Sequence, residues 1–161
     1  SPGMAALALG LMGALNLGGL LIAGPLSDKT ERRYLITIVY AFLGLSYLIL
    51  ILTNGPLGLF AFVSVFGIFV MSTGLLTTGL TADIYGVKNL GTVLGIVFLC
   101  HFAAGGMGNY FAGIIHDITG TYTLAFTTFG ILFSLAVVFS WTIREQYYSA
   151  RFQSTLRPNA S

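Results

Sequence analysis

Apolar residues run along this chain in long, nearly unbroken blocks, and the polar positions gather between them. Charge gaps mark five such blocks, at about 4–26, 34–53, 57–81, 90–115 and 121–143. A helix needs about 20 mostly apolar residues to cross roughly 30 Å of hydrocarbon, and each block is near that length or longer. Transmembrane strands would alternate over about 9–11 residues, and these blocks do not alternate. The pattern predicts an all-α membrane protein with five transmembrane helices in residues 1–143 and a polar tail at 144–161. Gly24-Pro25 is expected to close the first span, and Asn54-Gly55-Pro56 to turn between the second and third. Asn89 is expected to cap the fourth, and Thr119-Gly120-Thr121 to break it from the fifth.

Composition narrows the class further. Only 7% of residues are charged and 56% are hydrophobic, whereas a soluble domain carries about 25% charge. Such a surface does not stay in water, which disfavours a soluble enzyme and a disordered tail. The basic residues form no patch able to neutralise a run of phosphates, so no nucleic-acid partner is expected. Lys29, Arg32 and Arg33 lie between spans one and two, Lys88 between three and four, and Arg144, Arg151 and Arg157 in the tail. The turns on the opposite side, 54–56 and 116–120, hold no Lys or Arg. Basic loops stay cytoplasmic, so the tail is expected inside and Ser1 outside, in the cell (inner or plasma) membrane.

The chain begins at Ser1 with neither a basic leader nor a small-residue cleavage site, so its first span does not read as a signal peptide. An odd number of spans with an external start is expected of a piece of a longer protein. Cys100 stands alone, which gives no disulfide framework and no cysteine metal site. No phosphate-binding Gly-Lys loop is present, so no ATP-driven step, no cofactor and no catalytic residue are expected. His116 and Asp117 lie at the external end and are expected to shape that turn. Asp83 is expected to cap or pair at the cytoplasmic end of the third span, with Lys88 its nearest basic neighbour in sequence.

Glycine clusters in spans one and four: Gly10, Gly13, Gly18 and Gly19, then Gly91, Gly95, Gly105, Gly106, Gly108 and Gly113. Each costs about 1 kcal/mol of helix propensity relative to Ala, and small residues let membrane helices approach closely. These two spans are expected to line the interior, with the bulky second and fifth spans outside; static packing alone is the competing account. Three polar residues fall inside the glycine-rich spans: Asn16, His101 and Asn109. His101 is the one titratable side chain deep in a span, and a free imidazole titrates near pH 6.5. It is a candidate for binding an anion or relaying a proton, against a neutral histidine bonded to a nearby carbonyl or hydroxyl.

The segment from Gly24 to Arg33 resembles the signature loop of the major facilitator superfamily, Gly-x-Leu-(small)-Asp-(Lys/Arg)-x-Gly-(Arg/Lys)-(Arg/Lys). Gly24, Leu26, Ser27, Asp28, Lys29, Arg32 and Arg33 match, and Glu31 stands where the family has glycine. A second resemblance runs from Ala82-Asp83 through Gly91 and Gly95 to Asp117-Ile118-Thr119-Gly120-Thr121-Tyr122. It is similar to the last three helices of monocarboxylate-transporter-like and oxalate–formate-antiporter-like carriers. The resemblance implies helices eight to twelve of a twelve-helix carrier, with the N-terminal half of the same carrier as partner. It also implies that the loop Gly24, Asp28, Lys29, Arg32 and Arg33 acts in conformational switching, and that Asp28 normally meets the N-terminal half.

The function implied is secondary transport of a small solute, a mono- or dicarboxylate, by alternating access with proton or counter-substrate coupling. Those carriers hold the carboxylate with a basic residue in helix eight, and the first span here has none before Lys29. Either His101 supplies the charge or the solute is not an anion. A self-standing five-helix scaffold or accessory subunit is the alternative from another class.

Overall fold

The computed structural model describes residues 2–53 and 55–143. Among them five long helices appear and no strand: α1 (Pro2–Lys29), α2 (Arg32–Leu52), α3 (Pro56–Tyr85), α4 (Leu90–Thr119) and α5 (Thr123–Thr142), with a single 3-10 turn at Val87–Asn89. All five are long and apolar enough to cross a membrane. Ser1, Asn54 and the tail 144–161, with Arg144, Arg151 and Arg157, lie outside the described residues.

The helix ends differ from the sequence expectation at two places. Gly24-Pro25 does not stop α1, which continues to Lys29, where the Thr30 N–H reaches the Leu26 carbonyl at 3.1 Å. Proline removes one hydrogen bond near the end of a helix, and the turn after it closes regardless. Asn89 gives α4 no side-chain cap; the 3-10 turn leads straight into the helix instead. The other turns rest on glycines with positive φ: Gly55 at 88°, Gly86 at 76° and Gly120 at 71°. Gly120 ends α4 in the left-handed region, its N–H on the His116 carbonyl at 2.7 Å. There the His116 ring stacks on Tyr122 at 4.2 Å between centroids.

The bundle is built around α2 and α3. Leu35, Ile36, Val39 and Leu43 of α2 bury against Leu76 of α3, with Phe66, Phe69 and Phe133 packed beside them. Tyr47 extends this seam outward, meeting Phe62 and Phe66 of α3 and Phe126, Phe129 and Phe133 of α5. Helix α1 lies along α3, and α5 along α2. Helix α4 only skims α3 and α5 and buries no residue.

Within this chain the expectation therefore fails at two spans: bulky α2 is central and glycine-rich α4 peripheral, while bulky α5 stays mostly exposed and glycine-rich α1 packs on α3. A core needs side chains to fill it, and α2 and α3 supply them; glycine contributes where a neighbour comes too close for a side chain, as the Phe129 ring does at Gly108, or where two backbones meet. That happens at Gly19, where a Cβ would overlap the Ile68 carbonyl, and at Gly67, where it would meet the Met12 backbone at 3.2 Å. At Gly10, Gly13, Gly18, Gly91, Gly95, Gly105, Gly106 and Gly113 an added Cβ meets nothing within 4 Å.

Candidate functional site

The ends of three helices converge on Arg32. Its position is set by the short α1–α2 turn, which places the first residue of α2 over the last turns of α1 and α3. Arg32 Nε donates to Ser27 Oγ of α1 at 2.9 Å. Its Nη1 donates to the Gly79 carbonyl of α3 at 3.3 Å and to the Asp83 carboxylate. Gly79 leaves the space for this: a Cβ there would stand 2.6 Å from Arg32 Nε. Both side chains of the pair are mostly covered, Arg32 at 24% and Asp83 at 20% exposure.

Asp28 sits at the edge of this cluster. Its carboxylate is 3.8 Å from Arg32 Nη2 and its side chain is 78% exposed. An exposed pair at that distance contributes about 0–1 kcal/mol, so Asp83 is the dominant partner. Asp83 thus pairs with Arg32 and not with Lys88. The reason is local: Gly86 turns the chain away from α3, leaving Lys88 exposed on the 3-10 turn. The sequence carried a signal for this pair. Asp83 is in the last turn of α3, where the helix dipole disfavours a carboxylate, so a cation had to lie close.

Arg33 points to the other side of α2. Its Nε donates to Glu31 Oε2 at 2.7 Å and its Nη2 to the Tyr34 hydroxyl at 2.9 Å, with the guanidinium 4.6 Å from the Tyr34 ring centre. Glu31, where the signature has glycine, therefore fixes Arg33. Lys29 is exposed at the C-terminal end of α1, a favourable place for a cation. Gly24 is half-buried, and a Cβ there would meet nothing within 4 Å.

The three polar residues of the glycine-rich spans are not brought together. Asn16 is on the α1 face that packs on α3, between Met12 and Gly19, and its Oδ1 is buried with no hydrogen-bond partner among the described residues. His101 is exposed, its ring edge-on to Phe102 at 5.5 Å. It follows Leu94 and Phe98, both half-buried, at helical spacing, which sets it on the bundle-facing stripe of α4. Asn109 is also exposed, about 12 Å further along and roughly 80° around the helix. Helices α1 and α4 share no packed interface, so Asn16, buried on the α3 side of α1, and exposed His101 stay apart. Among the described residues no cluster of His, Cys, Asp or Glu could hold a metal ion.

The Major Facilitator Superfamily model matches residues 1–158. The chain belongs to that superfamily. Rat monocarboxylate transporter 12 is 32% identical over 141 residues, covering 84% of this chain and 28% of the relative. The human protein of that name is 30% identical over 141 residues, covering 84% of this chain and 26% of the relative. An uncharacterized MFS-type transporter, YcxA of Bacillus subtilis (strain 168), is 31% identical over 118 residues, or 70% of this chain and 29% of the relative. The chain thus spans just over a quarter of the length of these relatives. No solved structure matches it.

Proposed function

We propose that this chain forms helices eight to twelve of a secondary carrier that moves a small mono- or dicarboxylate by alternating access. The observation that carries the reading is the superfamily match across residues 1–158, with relatives named monocarboxylate transporters among those found. In it, the chain works with the N-terminal half of the same carrier in the cell membrane. Ser1 faces outside, and the Arg32 end and the tail face the cytoplasm. A proton or a counter-substrate supplies the drive.

The solute path runs between α1 and α4, near the bilayer middle. His101 meets the carboxylate or passes the coupled proton; protonated, it supplies the charge that α1 lacks. Asn16 offers an unbonded buried carbonyl, and leaving such a group unmatched costs about 1–3 kcal/mol. A donor arriving from the solute or from the other half of the carrier would offset that cost. Asn109 extends the path outward.

At the cytoplasmic end the loop Gly24, Asp28, Lys29, Arg32 and Arg33 works as a switch. Arg32 holds α1, α2 and α3 as one rigid unit, while exposed Asp28 is left to engage and release the other half.

The test is uptake of radiolabelled monocarboxylate into proteoliposomes holding the complete carrier. Saturable uptake, accelerated by an inward proton gradient or by preloaded carboxylate, is expected. Uptake of neutral solutes with none of any carboxylate would overturn the choice of substrate.

A further inference from the structure

On the outer side of the bundle, α2 and α5 enclose an open groove of about 430 Å³. Its floor is low because Gly44 and Gly130 face each other there: a Cβ on Gly44 would meet Phe133 Cβ at 3.5 Å and the Gly130 carbonyl at 3.9 Å. We propose that this groove binds one membrane phospholipid, an acyl chain along the groove and the phosphate at its Tyr34–Trp141 end. The proposal is independent of which solute the carrier moves.

Three observations carry it. First, the hydroxyls on the α5 wall are already committed: Thr127 Oγ1 donates to the Thr123 carbonyl at 2.8 Å, and Ser134 Oγ to the Gly130 carbonyl at 2.9 Å. The wall therefore suits hydrocarbon rather than a polar solute. Second, the rim stands high. Leu45, Leu48 and Ile131 are branched, exposed groove residues, and a helix about 10 Å across would rest on them without reaching the glycine floor. A single acyl chain is slim enough to lie in it.

Third, one end carries the chemistry of the headgroup layer. Tyr34 and Trp141 meet edge-on at 5.6 Å, and the Arg33 guanidinium lies over the Tyr34 ring. Tyr34 is one heptad before Ala41 on α2, and Trp141 one heptad after Ser134 on α5, so the pair continues the two walls. Tyr and Trp settle where hydrocarbon meets headgroups, and an arginine there complements a phosphate. Arg33 already pairs with Glu31 at 2.7 Å, so a phosphate would be a further partner of its guanidinium.

The test is native mass spectrometry of the full-length protein released from detergent after incubation with phosphatidylglycerol. Ala41→Phe fills the groove from an exposed position; Leu132→Phe places a phenylalanine on α5 outside it. The expected result is one bound phospholipid in the wild type and in Leu132→Phe, reduced at least fivefold in Ala41→Phe. Diacylglycerol, which lacks the phosphate, should bind at least fivefold less. Equal lipid retention in all three proteins would overturn the proposal, as would a dimer lost on groove filling, which would make a second copy the occupant. Should Ala41→Phe fail to fold by circular dichroism, Ser134→Leu serves as the filling variant under the same criteria.

Discussion

Arg32 ties the ends of three helices together. It joins Ser27 of α1, Gly79 and Asp83 of α3, and its own α2 through one guanidinium. Breaking a buried ion pair costs about 3–5 kcal/mol and an exposed one about 0–1, so this partly covered pair falls between, near 1–3 kcal/mol. Asp83→Asn should lower the thermal unfolding midpoint in detergent clearly, and Asp28→Asn hardly at all. A double-mutant cycle should give a coupling of roughly 1 kcal/mol or more for Arg32 with Asp83, and below about 0.5 for Arg32 with Asp28. Equal couplings would show that the 3.8 Å Asp28 contact matters as much as the shorter one. The signature segment was legible from residue order alone. Its partner Asp83 was visible as a carboxylate at the wrong end of a helix, but the choice between Lys88 and Arg32 needed the path of the chain after Gly86.

At the scale of helices, two adjacent glycines make a sharp contrast. Gly19 lies against the Ile68 carbonyl, whereas an added Cβ at Gly18 meets nothing within 4 Å. Gly19→Ala must force α1 away from α3, since a backbone carbonyl cannot swing aside. A loss of about 3 kcal/mol or more is expected, at or above the usual range for overpacking. Gly18→Ala should be neutral or gain up to about 1 kcal/mol in the 161-residue chain. Thermal melts followed by circular dichroism distinguish them; similar losses for both would mean that α1 is packed on two sides. Helix number and the glycine turns at Gly55 and Gly120 follow from the apolar blocks and their punctuation. Which helices form the core does not. Glycine density marks where close approach is permitted, while contact depends on the phase of each helix against a neighbour, a long-range property.

Taken whole, the described residues form a row of four helices joined by three interfaces, α1 on α3, α3 on α2 and α2 on α5, with α4 laid loosely across it. Amide exchange of the 161-residue chain in detergent should therefore be slowest in α2 around Leu43 and Ser46, which are fully buried. It should be fastest among the helices in the middle of α4, from Leu99 to Met107, where every residue is exposed. Protection of α4 equal to α2 would contradict this arrangement. The same openness leaves His101 exposed on α4, as the proposed solute path requires.

The proposed path takes a carboxylate past His101. The most direct measurement is the pH dependence of monocarboxylate uptake by the complete carrier with His101 and with His101→Gln. Wild-type uptake should change steeply with pH near neutrality, and His101→Gln should lose most of the rate and all of that dependence. An unchanged rate and an unchanged pH profile in His101→Gln would contradict it.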